Sequence, residues 1–406
     1  MNWWREGDAT ARRALVAASL GWLLDAFDVM LYALLIPVIM KDLSIDKATA
    51  GWVQSGSLLA AAAGGVLFGV VADRWGRTRA LMSSVLIYSV FTAACGFAHT
   101  VLALAVFRVC LGFGMGGEWA SGAALVSETW PDHLRGKALG FMQSSWAIGY
   151  ALAALVNLLV QDVLGLSWRA VFFVGVLPAF YIFWVRRNVE EPALWRAAKA
   201  RPARTSLASA LGGRMLGVTV AVTLMNACTL FAWWGINSWV PAYLRATPES
   251  GGIGLSNAAM NGFVVAMQAG MWLGYVTFGY VSDVAGRKRS YIAYLLLAAV
   301  AVSAYASTRT PWMLLLLGPV VAFLGTGFFS GFGAVTAELY PTEIRATAQG
   351  LTYNAGRVAS AASPFLVGSL AQTHGFGAAL LTTAAAFLLA AGWWIFIPET
   401  KGRAIA

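Results

Sequence analysis

Long apolar stretches return along this chain at a spacing that sets its architecture. Apolar runs occupy positions 14–40, 51–72, 80–98, 101–125, 138–160 and 171–185, then 217–244, 260–281, 290–306, 312–337, 348–370 and 378–397. Most hold about twenty residues, enough to cross a ~30 Å hydrocarbon layer as a helix. The pattern predicts an all-α integral membrane protein with twelve transmembrane helices. A long polar interval divides the runs six and six. It suggests an N-terminal six-helix half over 1–186, a cytoplasmic linker over 187–214 and a C-terminal six-helix half over 215–406.

The two halves repeat each other. GVVADRWGRTR (69–79) follows the second run and GYVSDVAGRKR (279–289) follows the eighth. ETWPDHLRGKALG (128–140) and ELYPTEIRATAQG (338–350) form a second matched pair at the same offset of 210 residues. One offset shared by two separated motifs marks a duplication. Halves that both start on the same side are related by an axis along the membrane normal, and a rocking transporter places its cargo at their interface near the midplane. The duplicated charges Asp73, Arg77, Glu128 and Arg135, with Asp283, Arg287, Glu338 and Arg345, are expected to form ion-pair networks that latch the cytoplasmic side. The competing reading is that they only mark topology and helix ends.

Composition agrees with the pattern. Of 406 residues, 59% are hydrophobic and 11% charged, and mean hydropathy is +0.69. The net charge of +10 would suit nucleic acid, but its placement does not. Lys41, Lys47, Arg169, Arg245 and Arg309 fall in outer loops, and Arg108 and Arg357 within runs. The other Lys and Arg gather in the segments that lie inside if the amino end is inside. That asymmetry predicts a multi-pass protein of a bacterial inner (plasma) membrane with both termini cytoplasmic. The amphipathic opening carries no cleavage pattern of a secretory signal. Cys95, Cys110 and Cys228 lie in runs and His99, His133 and His374 at run ends or loops. No metal site or cofactor is expected, and no nucleophile–base pair or phosphate loop supports an enzyme.

Charges inside the runs carry the functional reading. Asp25 and Asp28 interrupt the first run, at a cost of ~3 kcal/mol or more each in hydrocarbon. At i and i+3 they share a helix face and repel. Protonation of one, or a nearby cation, relieves both problems. The repeat separates scaffold from cargo handling. Asp25 and Asp28 correspond to Gly235 and Ser238, Arg108 to Gly318, Glu118 to Phe328, and Arg357 to Ala147. All five charges are unique to one half and are functional candidates by default. Asp25, Asp28 and Glu118 are assigned to proton coupling, with Arg108 facing an aspartate; the competing reading is that Arg108 only locks the first run to the fourth. Glu118 could equally be an inner proton-release group or a fixed partner for an arginine. Arg357 is the candidate clamp for an anionic cargo, since a guanidinium grips a carboxylate with two prongs. Tyr353, four residues earlier, shares its face, and Asn354 lies beside it. Arg108, Gln143, Trp146 and Gln268 complete the expected substrate pocket.

These motifs, with RVCLGFGMGGEW in the fourth run, VEEPALW after the sixth and PETKGR at the end, resemble the major facilitator superfamily over nearly the whole chain. LLDAFD is similar to the proton-coupled organic-acid symporters of the sialate/lactate and aromatic-acid groups. The aromatic-acid group usually has Gly where this chain has Ala26. HLRGKALGF and the segment around VEEPALW look closer to the sialate/lactate group. The resemblance implies a twelve-helix fold, alternating access and proton-driven symport of a carboxylate. The expected function is uptake of a small organic acid or monocarboxylate with protons, by a monomer in the lipid bilayer, with the proton as coupling ion. Nicotinate or aromatic-acid symport is the first alternative and sugar symport the second. A multidrug exporter or a nutrient sensor on the same scaffold fits the lone arginine and short ends less well.

Overall fold

In hydrocarbon no water satisfies backbone N–H and C=O groups, so a crossing segment must bond within itself. The computed structural model describes residues 3–192, 214–340 and 345–401, and among these it contains helices and turns but no strand. After a one-turn helix at Trp3–Glu6 come α1 (Ala9–Asp42), α2 (Lys47–Trp75), α3 (Arg77–Cys95), α4 (Val101–Thr129) and α5 (Asp132–Asn157). A π turn over Leu158–Val163 continues α5, and α6 (Trp168–Val174) and α7 (Pro178–Asn188) follow. The later helices are α8 (Arg214–Arg245), α9 (Asn257–Ala285), α10 (Arg287–Ser307), α11 (Pro311–Thr326), α12 (Phe332–Leu339), α13 (Arg345–Ser360), α14 (Ser363–Thr373) and α15 (Gly375–Trp393). The fold divides into two compact units. One comprises Met1–Pro202 with Asn257–Val265, the start of α9; the other comprises Ala203–Ser256 and Ala266–Ala406.

Among the described residues, 11 helical stretches are long and apolar enough to cross a membrane. The run at 348–370 is the exception, being shared between α13 and α14, of 16 and 11 residues, with a turn at Ala361–Ala362. Pro364 explains the break: it has no N–H to give the carbonyl of Ser360, and its ring crowds that carbonyl. Pro178 acts alike at the start of α7, where Gly175–Leu177 form a turn within the sixth run. Helix starts follow ordinary capping. The side chains of Asp8, Asp46 and Thr100 accept from the backbone N–H of Ala11, Thr49 and Ala103, each worth about 1 kcal/mol.

The glycine run in α4 has a definite partner. A Cβ on Gly112 or Gly116 would strike the carbonyl of Ser57 or Ala61 on α2, and one on Gly64 would strike that of Phe113 on α4. Backbones this close require residues without side chains. In the second unit a Cβ on Gly270 or Gly274 of α9 would likewise strike the carbonyl of Pro319 or Phe323 of α11. Helix α1 packs chiefly on α5 and α4, and its residues from Asp25 to Ile36 are all buried. The two aspartates therefore face protein and not lipid.

Candidate functional site

Four ionisable side chains predicted from the sequence come together inside the first unit. Asp25 and Asp28 of α1 and Arg108 and Glu118 of α4 are each 0% exposed. Arg108 is a near neighbour of Asp28, yet the two form no ion pair. Its Nη2 donates to Oε1 of Gln54 on α2 at 2.5 Å. Its guanidinium lies over the ring of Tyr32, 4.7 Å from the centroid, a contact worth up to about 2 kcal/mol when dry. Its Nε and Nη1 have no acceptor. Arg108 thus ties the first, second and fourth runs together and retains donors directed into the interior.

The carboxylates are arranged along α1. Asp28 lies against Gly175, where an added Cβ would come within 2.9 Å of its Oδ1 and would also strike Thr92. The break between α6 and α7 makes that room. The Thr92 hydroxyl donates to the Tyr88 carbonyl at 2.8 Å. Glu118 approaches α1 at Gly21, one turn before Asp25 in the chain, and is a charge neighbour of Asp25. Neither oxygen of Glu118 has a hydrogen-bond partner. Tyr88 stands among all three acids and donates to the Gly21 carbonyl at 3.4 Å. An unpaired buried carboxylate is costly and relieves the cost by taking a proton. Asp28, with Arg108 near it, and Glu118, with Asp25 near it, are buried groups of the kind that can hold a proton.

Trp146 of α5 packs on Trp22 of α1 with ring centroids 4.5 Å apart, and the indole N–H of Trp22 has no acceptor. Gln143 accepts from the Trp119 indole at 3.4 Å.

In the second unit Arg357 is buried within α13, its guanidinium 5.4 Å from the Tyr353 ring centroid. The four-residue spacing does bring the two together. No described carboxylate lies within ion-pair distance of Arg357. Asn354 turns its amide to the Gly350 carbonyl of its own helix at 3.0 Å. Gln268 of α9 is buried with its Oε1 unpartnered. A narrow cleft, about 250 Å³ counting its open mouth, is lined by Trp233, Asn237, Met267, Met271, Thr326 and Phe387. The Asn237 amide donates to the Trp233 carbonyl and the Thr326 hydroxyl to that of Ala322. The cleft therefore presents mainly apolar walls.

The duplicated charges form matching networks, each within one unit. Arg77 pairs with Glu128 at 2.9 Å. Arg287 pairs with Asp283 at 2.5 Å and Glu338 at 3.2 Å. The side chains of Asp73, Arg135 and Arg345 lie outside the described residues. Sequence reasoning missed the carboxylates that complete these networks. Glu191 accepts from the N–H groups of Thr78 and Arg79 at 3.2 and 3.3 Å, at the start of α3. Glu399 accepts from those of Arg287 and Lys288 at 2.9 and 3.2 Å, at the start of α10. Each faces a glycine of positive φ, Gly76 at 119° and Gly286 at 98°, whose Cβ would collide with the carboxylate. Both acids stand in the stretches VEEP and PET, so the signal was present. Gln54 and Tyr32 were missed as well. Gln54 is a lone amide in the second apolar run, and Tyr32 lies one turn beyond Asp28.

The sequence model of the Major Facilitator Superfamily matches residues 18–267 and 246–406. The sialic acid transporter NanX of Escherichia coli is 29% identical, over 95% of this chain and 93% of that protein. The cis,cis-muconate transport protein of Acinetobacter baylyi is 28% identical, over 95% and 94%. Among solved structures, a D-xylose-proton symporter superposes with a TM-score of 0.77 at 21% identity, covering 97% of this chain and 99% of that one. At that identity the structural likeness speaks for the fold alone.

Proposed function

Since the chain belongs to the major facilitator superfamily, we propose that it is a secondary transporter for a small organic acid, driven by protons taken up with the cargo. The observation that carries this reading is Arg357. A guanidinium buried on an aromatic face with no described carboxylate in reach has an unmet need for an anion, and a carboxylate meets it with two parallel hydrogen bonds. Relatives matching over nearly the whole chain, named for sialic acid and cis,cis-muconate, support a carboxylic acid cargo. The proton sites are Asp25, Asp28 and Glu118, in the unit that does not contain Arg357. Cargo and proton need not touch; each has only to favour the same conformation. Importing one monoanion with one proton is electrically neutral, so a pH gradient alone can drive it. The proton is the only coupling species and no cofactor takes part. The protein works as a monomer in a bacterial inner membrane, with both termini cytoplasmic on the strength of the charge asymmetry.

A second reading, a planar aromatic acid such as nicotinate, is favoured by the Trp22–Trp146 pair. A flat ring stacks on such a surface more readily than a polyhydroxylated acid does.

The deciding measurement is uptake into sealed proteoliposomes that report internal pH, with nicotinate, cis,cis-muconate and sialic acid as probes and an inward pH gradient imposed. Internal acidification that depends on one of these acids supports the reading. Acid entry at an unchanged internal pH beyond that of protein-free vesicles would sink proton symport. Entry of none of the three would sink the proposed cargo class.

A further inference from the structure

We infer that Gly21 is a positioning residue: its missing side chain is the socket that holds Glu118 beside α1, one helical turn from Asp25, so that a proton can pass between the two carboxyls. The inference rests on the reading of Asp25 as a proton site. It goes beyond that reading by assigning a route and the residue that builds it.

The geometry is specific. A Cβ at position 21 would lie 2.5 Å from Oε1 of Glu118 and 3.4 Å from its carboxyl carbon, while the next nearest atom, Cδ1 of Leu81, is 3.5 Å away. The room left at Gly21 is thus filled by one carboxyl. Gly122, one turn along α4, completes the socket: a Cβ there would lie 3.5 Å from the same oxygen, 3.3 Å from Ala18 and 3.1 Å from Met142. The α4 glycines set the approach, because Gly112 and Gly116 lock that helix against α2.

Ionisable groups facing Glu118 are Asp25 from α1, Tyr88 from α3 and Tyr181 from α7. The two tyrosines are committed elsewhere. Tyr181 donates to the Ala17 carbonyl at 2.5 Å and Tyr88 to that of Gly21 at 3.4 Å, on successive turns of α1. Glu118, fully buried and unpartnered, is left with Asp25 as its acidic neighbour. Positions 21 and 25 share a face of α1. The transfer balances simply: the proton leaves the Asp25 carboxyl as its O–H bond breaks, and binds an oxygen of the Glu118 carboxylate. Asp25 is then ionised and Glu118 neutral.

The spectroscopic readout needs no cargo. Infrared difference spectra of the purified protein between acid and alkaline pH should show a protonated-carboxyl band that Glu118→Gln removes. Gly21→Ala pushes on the free end of a flexible side chain and should leave the fold intact. It should move that band, and Gly21→Ala/Glu118→Asp, whose shorter acid clears the new methyl, should return it. A displacement near 1 Å in a reacting group costs up to ~10²-fold, so Gly21→Ala should lower proton-driven uptake about tenfold, with the double variant recovering most of it. A Glu118 band unmoved in Gly21→Ala, no band that depends on Glu118, or no rescue in the double variant overturns the inference. If Gly21→Ala does not fold, the double variant still decides: a native melting curve with the band present supports the socket, and loss of both overturns it. Normal band behaviour in a protein that takes up no organic acid would reject the cargo reading and leave this inference standing.

Discussion

Gly76, Arg77, Glu128 and Glu191 in the first unit have counterparts in Gly286, Arg287, Glu338 and Glu399 in the second. In both, a left-handed glycine opens a helix whose first N–H groups rest on a glutamate from the end of the same half. In both, the arginine after that glycine holds a glutamate. The close glycine packing of α2 on α4 returns as α9 on α11. The interiors diverge. Among the described residues the first unit buries three acids and one arginine, where the matching positions in the second are Gly235, Ser238, Phe328 and Gly318. The second buries Arg357, where the first has Ala147. Duplication has preserved what makes a six-helix half, and each half has acquired its own charges. On the proposed reading protons are handled in one and the anion in the other, which makes the assignments separable by mutation.

The largest expected effect is that of Asp25→Asn. Removing the proposed proton carrier should abolish accumulation against a gradient while leaving exchange of cargo across the membrane. Counterflow of labelled acid with and without a pH gradient checks both. Arg357→Ala should do the reverse, leaving the proton-sensitive groups in place and weakening anion binding by roughly 10- to 100-fold, the worth of a charge-assisted hydrogen bond or two. Titration of the purified variant with the transported acid measures this. If Asp25→Asn lost binding and Arg357→Ala lost coupling, the division between the units would be wrong.

A smaller effect tests the support beneath the proton sites. Gln54→Ala removes the hydrogen bond the protein gives Arg108 and leaves a buried guanidinium held by Tyr32 alone. Leaving such a group unsatisfied costs about 1–3 kcal/mol. A lower melting temperature than the wild type is expected, with cargo binding at Arg357 unchanged.

How much of this could be read from sequence varied with the kind of force involved. The crossing segments were legible because lipid demands runs of apolar residues, and the repeat because its motifs keep one offset. The run at 348–370 looked continuous because hydropathy counts side chains, whereas Pro364 acts on the backbone. Asp25, Asp28, Arg108, Glu118 and Arg357 were visible because a charge in an apolar run is expensive. Their partners were not. Arg108 meets Gln54 and Tyr32, a neutral amide and a ring, and neither stands out among apolar neighbours. Glycines at 21 and 175 were equally silent: a Cβ there would strike a side chain from another helix, Glu118 at the first and Thr92, with Asp28 behind it, at the second. Spacing along one helix predicted Tyr353 beside Arg357, because that contact needs no knowledge of tertiary packing.

The smallest expected effect falls on the shared scaffold. Burial favours the neutral form of Glu399, but N–H groups of Lys401, Arg287, Thr400 and Lys288 donate to its carboxylate and hold its pKa below the usual carboxylate value. A value depressed by folding means the charged carboxylate contributes stability above the unfolded pKa of ~4.3. That contribution is lost as pH falls through the lower folded value. Glu399→Gln should therefore melt below the wild type at neutral pH by the equivalent of about 0.5–1 kcal/mol, the scale of a helix cap discounted for exposure to solvent. The difference should close as the solution is acidified past ~4. Thermal melts of both proteins in detergent across that range read it directly. Because the site lies outside the charged interiors, proton coupling and anion binding should survive unchanged. A coupling defect in Glu399→Gln would mean that the duplicated scaffold takes part in the proton cycle, and the contrast between shared and unshared charges would have to be redrawn.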